Sequence, residues 1–345
     1  MNRDVEMLER IAPDIIQVVE ERFRILRNIY WMQPVGRRTL SIKMNVTERI
    51  LRTETEFLKQ QNFINVSKSG MTLTDEGLDV YRGLESFIES HSGMRKKERK
   101  LAERLGIAHC VIVSGDSDSE SKVLESFGPI ATDILASHLP DGDNIIAVMG
   151  GTTMATLAKN MQELETPSRH NLFVPARGGI GETINIQANS ISGMMAEKTG
   201  GDFKVLYVPE QVSHETYEIL LQEPTVQRVL QLIDNANCVI HSIGQALRMA
   251  KRRGMTEEGL SMLKNNHAVA ESFGYFFNED GKVVYKIPRI GLQLKDLENI
   301  PYVLAVAGGK HKAKAIQAYI KNAPSQTWLI TDEGAANQIL KEETL

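Results

Sequence analysis

The sequence predicts a two-part α/β protein: an N-terminal winged helix-turn-helix, then a larger doubly wound, Rossmann-like parallel-sheet domain built to hold an effector. Three observations carry this reading. At 345 residues the chain exceeds the size of one ordinary domain. Between Glu21 and Gly70 stand ten basic residues and four acidic ones, although the whole chain sums to −4, the asymmetry of a nucleic-acid-binding head on an acidic body. From Ala108 onward short apolar runs alternate with helical stretches, as in a parallel sheet covered on both faces. The implied division is a head over residues 1–90, a linker helix over 91–106 and an effector domain over 107–345.

In the head, residues 20–31 put Phe23, Leu26, Ile29 and Tyr30 on one helical face, and Pro34 and Gly36 end the helix. Residues 37–44 form a short second helix with Leu40 and Met44 turned inward, and Asn45 suits the tight turn after it. Thr47 caps a third helix, residues 47–61, whose expected core stripe is Ile50, Leu51, Phe57 and Leu58. Two short strands, 63–67 and 71–74, are joined through Lys68-Ser69-Gly70 into a β-wing.

A major groove about 12 Å wide admits one helix, buttressed by the helix before it. Thr47, Arg49, Arg52 and Thr53, in the first two turns of the third helix, are therefore the candidates for base edges of double-stranded DNA. Lys68 at the wing tip, and Arg37 and Arg38 before the turn, are placed for phosphates. A three-helix bundle that binds a protein would show the same pattern.

Residues 74–105 are helical in pattern and highly charged. Their apolar stripe of Leu78, Tyr81, Leu84 and Phe87 either pairs with the same helix of a second subunit, spacing two heads, or packs on its own winged domain. A stiff helical linker over 75–105 is expected to carry the state of the body to the heads.

The body's apolar runs lie at 110–113, 144–149, 171–174, 204–208, 238–243, 302–307 and 328–331. In such folds the loops at the carboxyl ends of the strands form the ligand crevice. Gly150-Gly151-Thr152-Thr153 opens a helix over 154–161, where small residues let an anion reach backbone N–H groups and the helix N-terminus adds partial positive charge. Taken alone, that turn could serve only strand-to-helix geometry. It is joined by the 175–181 loop, in which three glycines follow Arg177, and by Gly308-Gly309-Lys310-His311-Lys312, which sets cations at a helix start.

Three such loops on one sheet point to a bis-phosphorylated or otherwise strongly anionic ligand. Gln187 and Asn189, in the segment 182–190, and Glu271 offer polar groups to sugar hydroxyls, while Arg252 and Arg253 also read as a solvated helix end. No complete G-x-G-x-x-G or P-loop is present, which disfavours dinucleotide redox chemistry and nucleotide hydrolysis.

Hydrophobic residues make up 42% and charged residues 24% of the chain, an ordinary globular composition. No apolar run approaches the roughly 18 residues of a membrane span, and Arg3, Asp4, Glu6, Glu9 and Arg10 leave no secretory core, so a cytoplasmic protein with no membrane partner is expected. Cys110 and Cys238 sit in strand-like runs and are expected to be buried reduced thiols. The eight histidines show no metal spacing; no metal, no cofactor and no catalytic residue is expected.

The winged head, the G-G-T-T loop at 150–153, A-R-G-G at 176–179, A-x-R-R-G at 250–254, G-x-F-F at 274–277 and A-G-G-x-x-K at 307–312 together resemble the SorC family of sugar-responsive bacterial regulators, over nearly the whole chain. The resemblance is greatest to a branch whose head differs from the shorter one usual in the family. It implies repression of a glycolytic operon, relief by fructose 1,6-bisphosphate, and homo-oligomers, dimers or tetramers, on the operator. By matched position it implies phosphate contacts from the loop at Gly151, from Thr152, Thr153, Arg177, Arg252 and Lys312, and sugar contacts from Gln187 and Glu271. Lys312 is preferred to neighbouring Lys310 because the family pattern places its lysine three residues after the second glycine.

The body also resembles the sugar-phosphate isomerase and deaminase fold, so an enzyme is the alternative. Its general base could only be Glu271, with His267 the one histidine nearby in sequence. Such an enzyme has no evident use for a basic helix-turn-helix, and a protein-binding scaffold has no positive support.

Overall fold

The structure is a computed structural model that describes residues 11–44, 46–91, 94–164, 166–179, 183–209 and 214–341. Asn45, Met1 to Arg10, and Ile180, Gly181 and Glu182 of the arginine loop lie outside these. The chain divides into two compact units, residues 1–97 and 98–345.

In the first unit, α1 (Pro13–Met32), α2 (Arg37–Met44) and α3 (Glu48–Gln60) precede a hairpin of β1 (Ile64–Ser67) and β2 (Gly70–Leu73), followed by α4 (Asp75–His91). The core gathers Ile25, Leu26, Ile29, Leu40, Leu51, Leu58, Ile64 and Met71. Val35, between α1 and α2, bridges to Met71 through paired backbone hydrogen bonds of 3.1 and 2.8 Å, tying the helices to the wing. Gly70 has φ +133°, and a Cβ there would stand 2.8 Å from the Val35 backbone nitrogen, so only glycine allows this approach.

One expectation for the head is corrected. Ile50 is not core: it is 55% exposed, and Thr55 takes the buried place instead, its hydroxyl donating to the Leu51 carbonyl at 2.8 Å. Leu51 and Leu58, seven residues apart, fix the inward direction of α3, and Ile50 lies about 100° away from Leu51. Phe57 is half-buried, with the Arg22 guanidinium 3.7 Å over its ring.

The stripe on α4, in turn, serves its own head. Tyr81 is buried and stacks on Phe23 and Tyr30 of α1 at 5.4 and 5.0 Å, and Leu78 and Leu84 join that cluster. Tyr81 is thereby committed to its own head, with Leu78 and Leu84 half-buried beside it; the Phe87 side chain lies outside what is described.

Helix α5 (Met94–Leu105) follows, and its Glu98 carboxylate accepts the Ile112 N–H at 2.8 Å. The second unit then places β3 (His109–Val113), α6 (Phe127–His138), β4 (Gly142–Val148), α7 (Thr152–Asn160), β5 (Arg169–Pro175), α8 (Ala188–Thr199), β6 (Asp202–Phe203), α9 (His214–Gln222), α10 (Pro224–Asp234) and β7 (Cys238–Ser242). After these come β8 (Gly244–Gln245), α11 (Ala246–Arg252), α12 (Glu257–Asn265), β9 (Ala268–Ser272), β10 (Tyr275–Asn278), β11 (Val283–Lys286), β12 (Tyr302–Val306), α13 (Ala313–Ile320), β13 (Thr327–Asp332) and α14 (Glu333–Lys341). The main sheet is parallel in the order β3-β13-β12-β7-β4-β5-β6. From β4 the chain winds toward β5 and β6, and from β7 toward β12 and β13, so the direction of winding reverses between the neighbouring strands β4 and β7.

Six of the seven apolar runs are strands of this sheet. The run at 204–208 is not: the regular ladder is confined to Asp202 and Phe203, and in the middle of the run Asn189 takes both backbone polar groups of Leu206, donating to its carbonyl at 3.1 Å and accepting its N–H at 2.9 Å. Asn189, a candidate for sugar hydroxyls, thus has both ends of its amide engaged by the backbone.

The sequence also gave no sign of a second, antiparallel sheet in the order β11-β10-β9-β8. Its central turn runs through Phe273 and Gly274 at φ +52° and +76°, and it packs on α11 and α12 through Ala246, Ala250, Leu260, Leu263 and Phe276. Cys110 and Cys238 are buried and free, and burial pushes both thiols up. Among the described residues, no helix is long and apolar enough to cross a membrane.

Candidate functional site

At the reversal between β4 and β7 the carboxyl ends of the parallel strands open into a cleft of about 490 Å³. All eight residues that the resemblance implied line it, Gly151, Thr152, Thr153, Arg177, Gln187, Arg252, Glu271 and Lys312, whereas Asn189 does not. Gly151 precedes α7 at φ +137°, aiming the first N–H groups of that helix into the cleft. Gly150 is required by packing, since a Cβ there would come within 2.7 Å of both the Arg177 guanidinium and the Ile186 carbonyl oxygen.

Arg177, at the end of β5, is buried. Lys312 ends the 3₁₀ turn before α13 and donates from Nζ to the Thr153 hydroxyl at 3.3 Å. Burial, with a smaller contribution from the Arg248 guanidinium, brings its ammonium down to about 8 against the opposing pull of Asp332 and Asp118. Lys310 is exposed and does not line the cleft; its backbone N–H points to Asp116 Oδ1 at 3.4 Å.

The antiparallel sheet and α11 close the opposite side. Glu271, on β9, accepts from the Gly274 N–H at 2.8 Å and lies 3.0 Å from Arg253 Nη1, with both side chains almost fully buried. Glu271 thus orients an arginine before it could meet a sugar.

Arg253, Arg248, Ser117, Asp118, Ser242 and Gln245 also line the cleft and were not anticipated. Arg248 was findable, standing four residues before Arg252 on one helix. The choice between Arg252 and Arg253 needed the second sheet, and the carboxylate of Asp118 gave no hint of an anion site. Among the described residues, five cationic side chains and two carboxylates line the cavity, so its field favours a multiply charged anion.

In the head, Thr47 Oγ1 accepts the Ile50 N–H at 3.3 Å and caps α3. Arg49, Arg52 and Thr53 are exposed in the following turns, and Lys68 is exposed at the hairpin tip. Arg37 is half-buried and 3.5 Å from Glu56, while Arg38 is exposed and 4.0 Å from Glu48, a separation at which an exposed pair contributes little.

Residues 89–341 match the family model of a sugar-binding domain, and residues 18–88 match the CggR N-terminal DNA binding domain. A crystal structure of a SorC family transcriptional regulator from Enterococcus faecalis shares 65% identity with a TM-score of 0.69, covering 71% of this chain and 99% of that one. The chain belongs to the SorC family. The central glycolytic genes regulator of Bacillus subtilis (strain 168) is 43% identical over 343 residues, 99% of this chain and 100% of that protein. The full-length sorbitol operon regulator SorC from Klebsiella pneumoniae shares the fold at 15% identity and a TM-score of 0.63, over 92% of this chain and 97% of that one. As a SorC-family member the chain is a DNA-binding transcriptional regulator with a sugar-binding domain.

Proposed function

We propose that the protein represses a glycolytic operon and that fructose 1,6-bisphosphate, bound in the cleft, modulates its hold on the operator. The observation that supports the effector most is the distribution of cations. Lys312 with the N-terminus of α7 forms one anion-binding group, Arg252 and Arg253 on the antiparallel side form another, and Arg177 is buried at the end of β5. Two phosphates on one sugar match two such groups better than one does. Calorimetric titration checks this: fructose 1,6-bisphosphate should bind more tightly than either monophosphate, and equal affinity for fructose 6-phosphate would exclude a bisphosphate site.

A sensing role fits the cleft better than catalysis. Glu271, the candidate base, is held by Arg253 and the Gly274 N–H. His241, behind the wall at Ser242 and Ser272, is buried, bonded to Tyr319 and Ser272, and kept neutral by burial at about 3. On this reading the protein works in the cytoplasm, as a dimer or tetramer on its operator, with no cofactor beyond the sugar phosphate.

The depressed Lys312 gives a pH dependence. In the empty cleft it loses its proton near 8, and a bound phosphate raises that value, so binding above pH 8 takes up a proton. Effector affinity should therefore fall as pH rises through 8, by up to about fivefold between pH 8 and 9. The ligand-free protein should change in the other sense: the unfolded chain holds this proton up to about 10.5, so the lysine's contribution to stability rises between 8 and 10.5. Titrations at pH 7.5, 8.5 and 9.0 with Lys312→Met as control check this, since the variant should lose the slope.

A further inference from the structure

Amphipathic periodicity assigns Ile50 to the core of the head, and the structure places it outside. It is 55% exposed in the first turn of α3, directly after the Thr47 cap. The head core closes without it around Leu51, Leu58 and Leu40. Its neighbours in sequence and along that turn are the exposed Arg49, Arg52 and Thr53.

In helix-turn-helix proteins the N-terminal residues of the second motif helix reach base edges in the major groove. Those edges offer donors, acceptors and a single apolar group, the C5 methyl of thymine. Arginine and threonine answer the polar groups, and a branched aliphatic side chain answers the methyl.

We propose that Ile50 packs against the C5 methyl of a thymine in the operator and so determines specificity at that base pair. This rests on the head acting as the DNA-binding domain its match describes. Continuity with the arginines of the same helix turn makes DNA the occupant of this apolar surface, in preference to a second copy of the chain.

The test replaces operator thymines one at a time with deoxyuridine, which removes only the methyl, and measures binding of the full chain by fluorescence anisotropy. One substitution should weaken wild-type binding about fourfold, the worth of one buried carbon. The same substitution should leave Ile50→Ala unaffected, and Ile50→Ala should bind random DNA as wild type does. An exposed position makes misfolding of the variant a minor concern, and its melting temperature is compared with wild type.

If every deoxyuridine operator shows the same ratio in wild type and Ile50→Ala, the assignment is wrong. A change in sedimentation of the free protein with no methyl dependence would instead make Ile50 a subunit contact and overturn the proposal. Arg49→Ala, run alongside, separates the two levels. Loss of operator discrimination in Arg49→Ala alone rejects only Ile50; no loss in either variant rejects α3 as the reading helix.

Discussion

Lys312→Ala and Arg177→Ala should each weaken fructose 1,6-bisphosphate binding by about 1.5 to 3 kcal/mol, the scale of a charge-assisted hydrogen bond lost in a partly desolvated site. In dissociation constants this is roughly tenfold to more than a hundredfold. Arg177 is buried at the end of β5 and Lys312 sits beside Thr153 at the start of α7, so each loss removes a cation that bulk water cannot replace cheaply. Lys310→Ala is the internal control: Lys310 is exposed and does not line the cleft, and its removal should leave the affinity within a few tenths of a kcal/mol of wild type. Isothermal titration of the three variants checks the set, and unchanged affinity in both Lys312→Ala and Arg177→Ala would place the effector elsewhere.

Operator recognition should separate by residue. Arg49→Ala or Arg52→Ala should lower specific affinity by about 1 to 3 kcal/mol while leaving binding to random DNA closer to wild type, because a base-edge contact carries sequence information. Lys68→Ala, at the hairpin tip, should weaken all sequences about equally and flatten the salt dependence, as loss of a phosphate contact does. Competition between operator and random DNA at two salt concentrations distinguishes the two classes.

Much of the site was legible because its chemistry is local. A strand that ends in Gly150-Gly151-Thr152-Thr153 must deliver a helix N-terminus, and at the ends of two further strands Arg177 precedes a pair of glycines and Lys312 follows one, so fold class and anion chemistry could be read from short segments. What depended on distant partners was not legible. Arg253 became a cleft residue only through Glu271 on a second sheet, whose short strands and positive-φ turn at Phe273 carry no strong pattern.

Asn189 looked like a free amide until Leu206 claimed both ends of it. Tyr81 looked equally suited to a second subunit and to its own head, and the aromatic faces of Phe23 and Tyr30 decided between them. Ile50 was misplaced because a helical stripe about 100° wide does not say which of two adjacent apolar residues turns inward.

One titration tests most directly whether anion occupancy of the cleft changes what the head does to DNA: operator affinity measured at increasing fructose 1,6-bisphosphate, beside bisphosphate affinity measured with and without operator. Coupling between two sites is reciprocal, so both affinities should change by the same factor, about 5- to 150-fold, and the change should disappear in Arg177→Ala at concentrations that saturate wild type. Full bisphosphate binding by calorimetry with operator affinity unchanged throughout would contradict a sensor coupled to DNA.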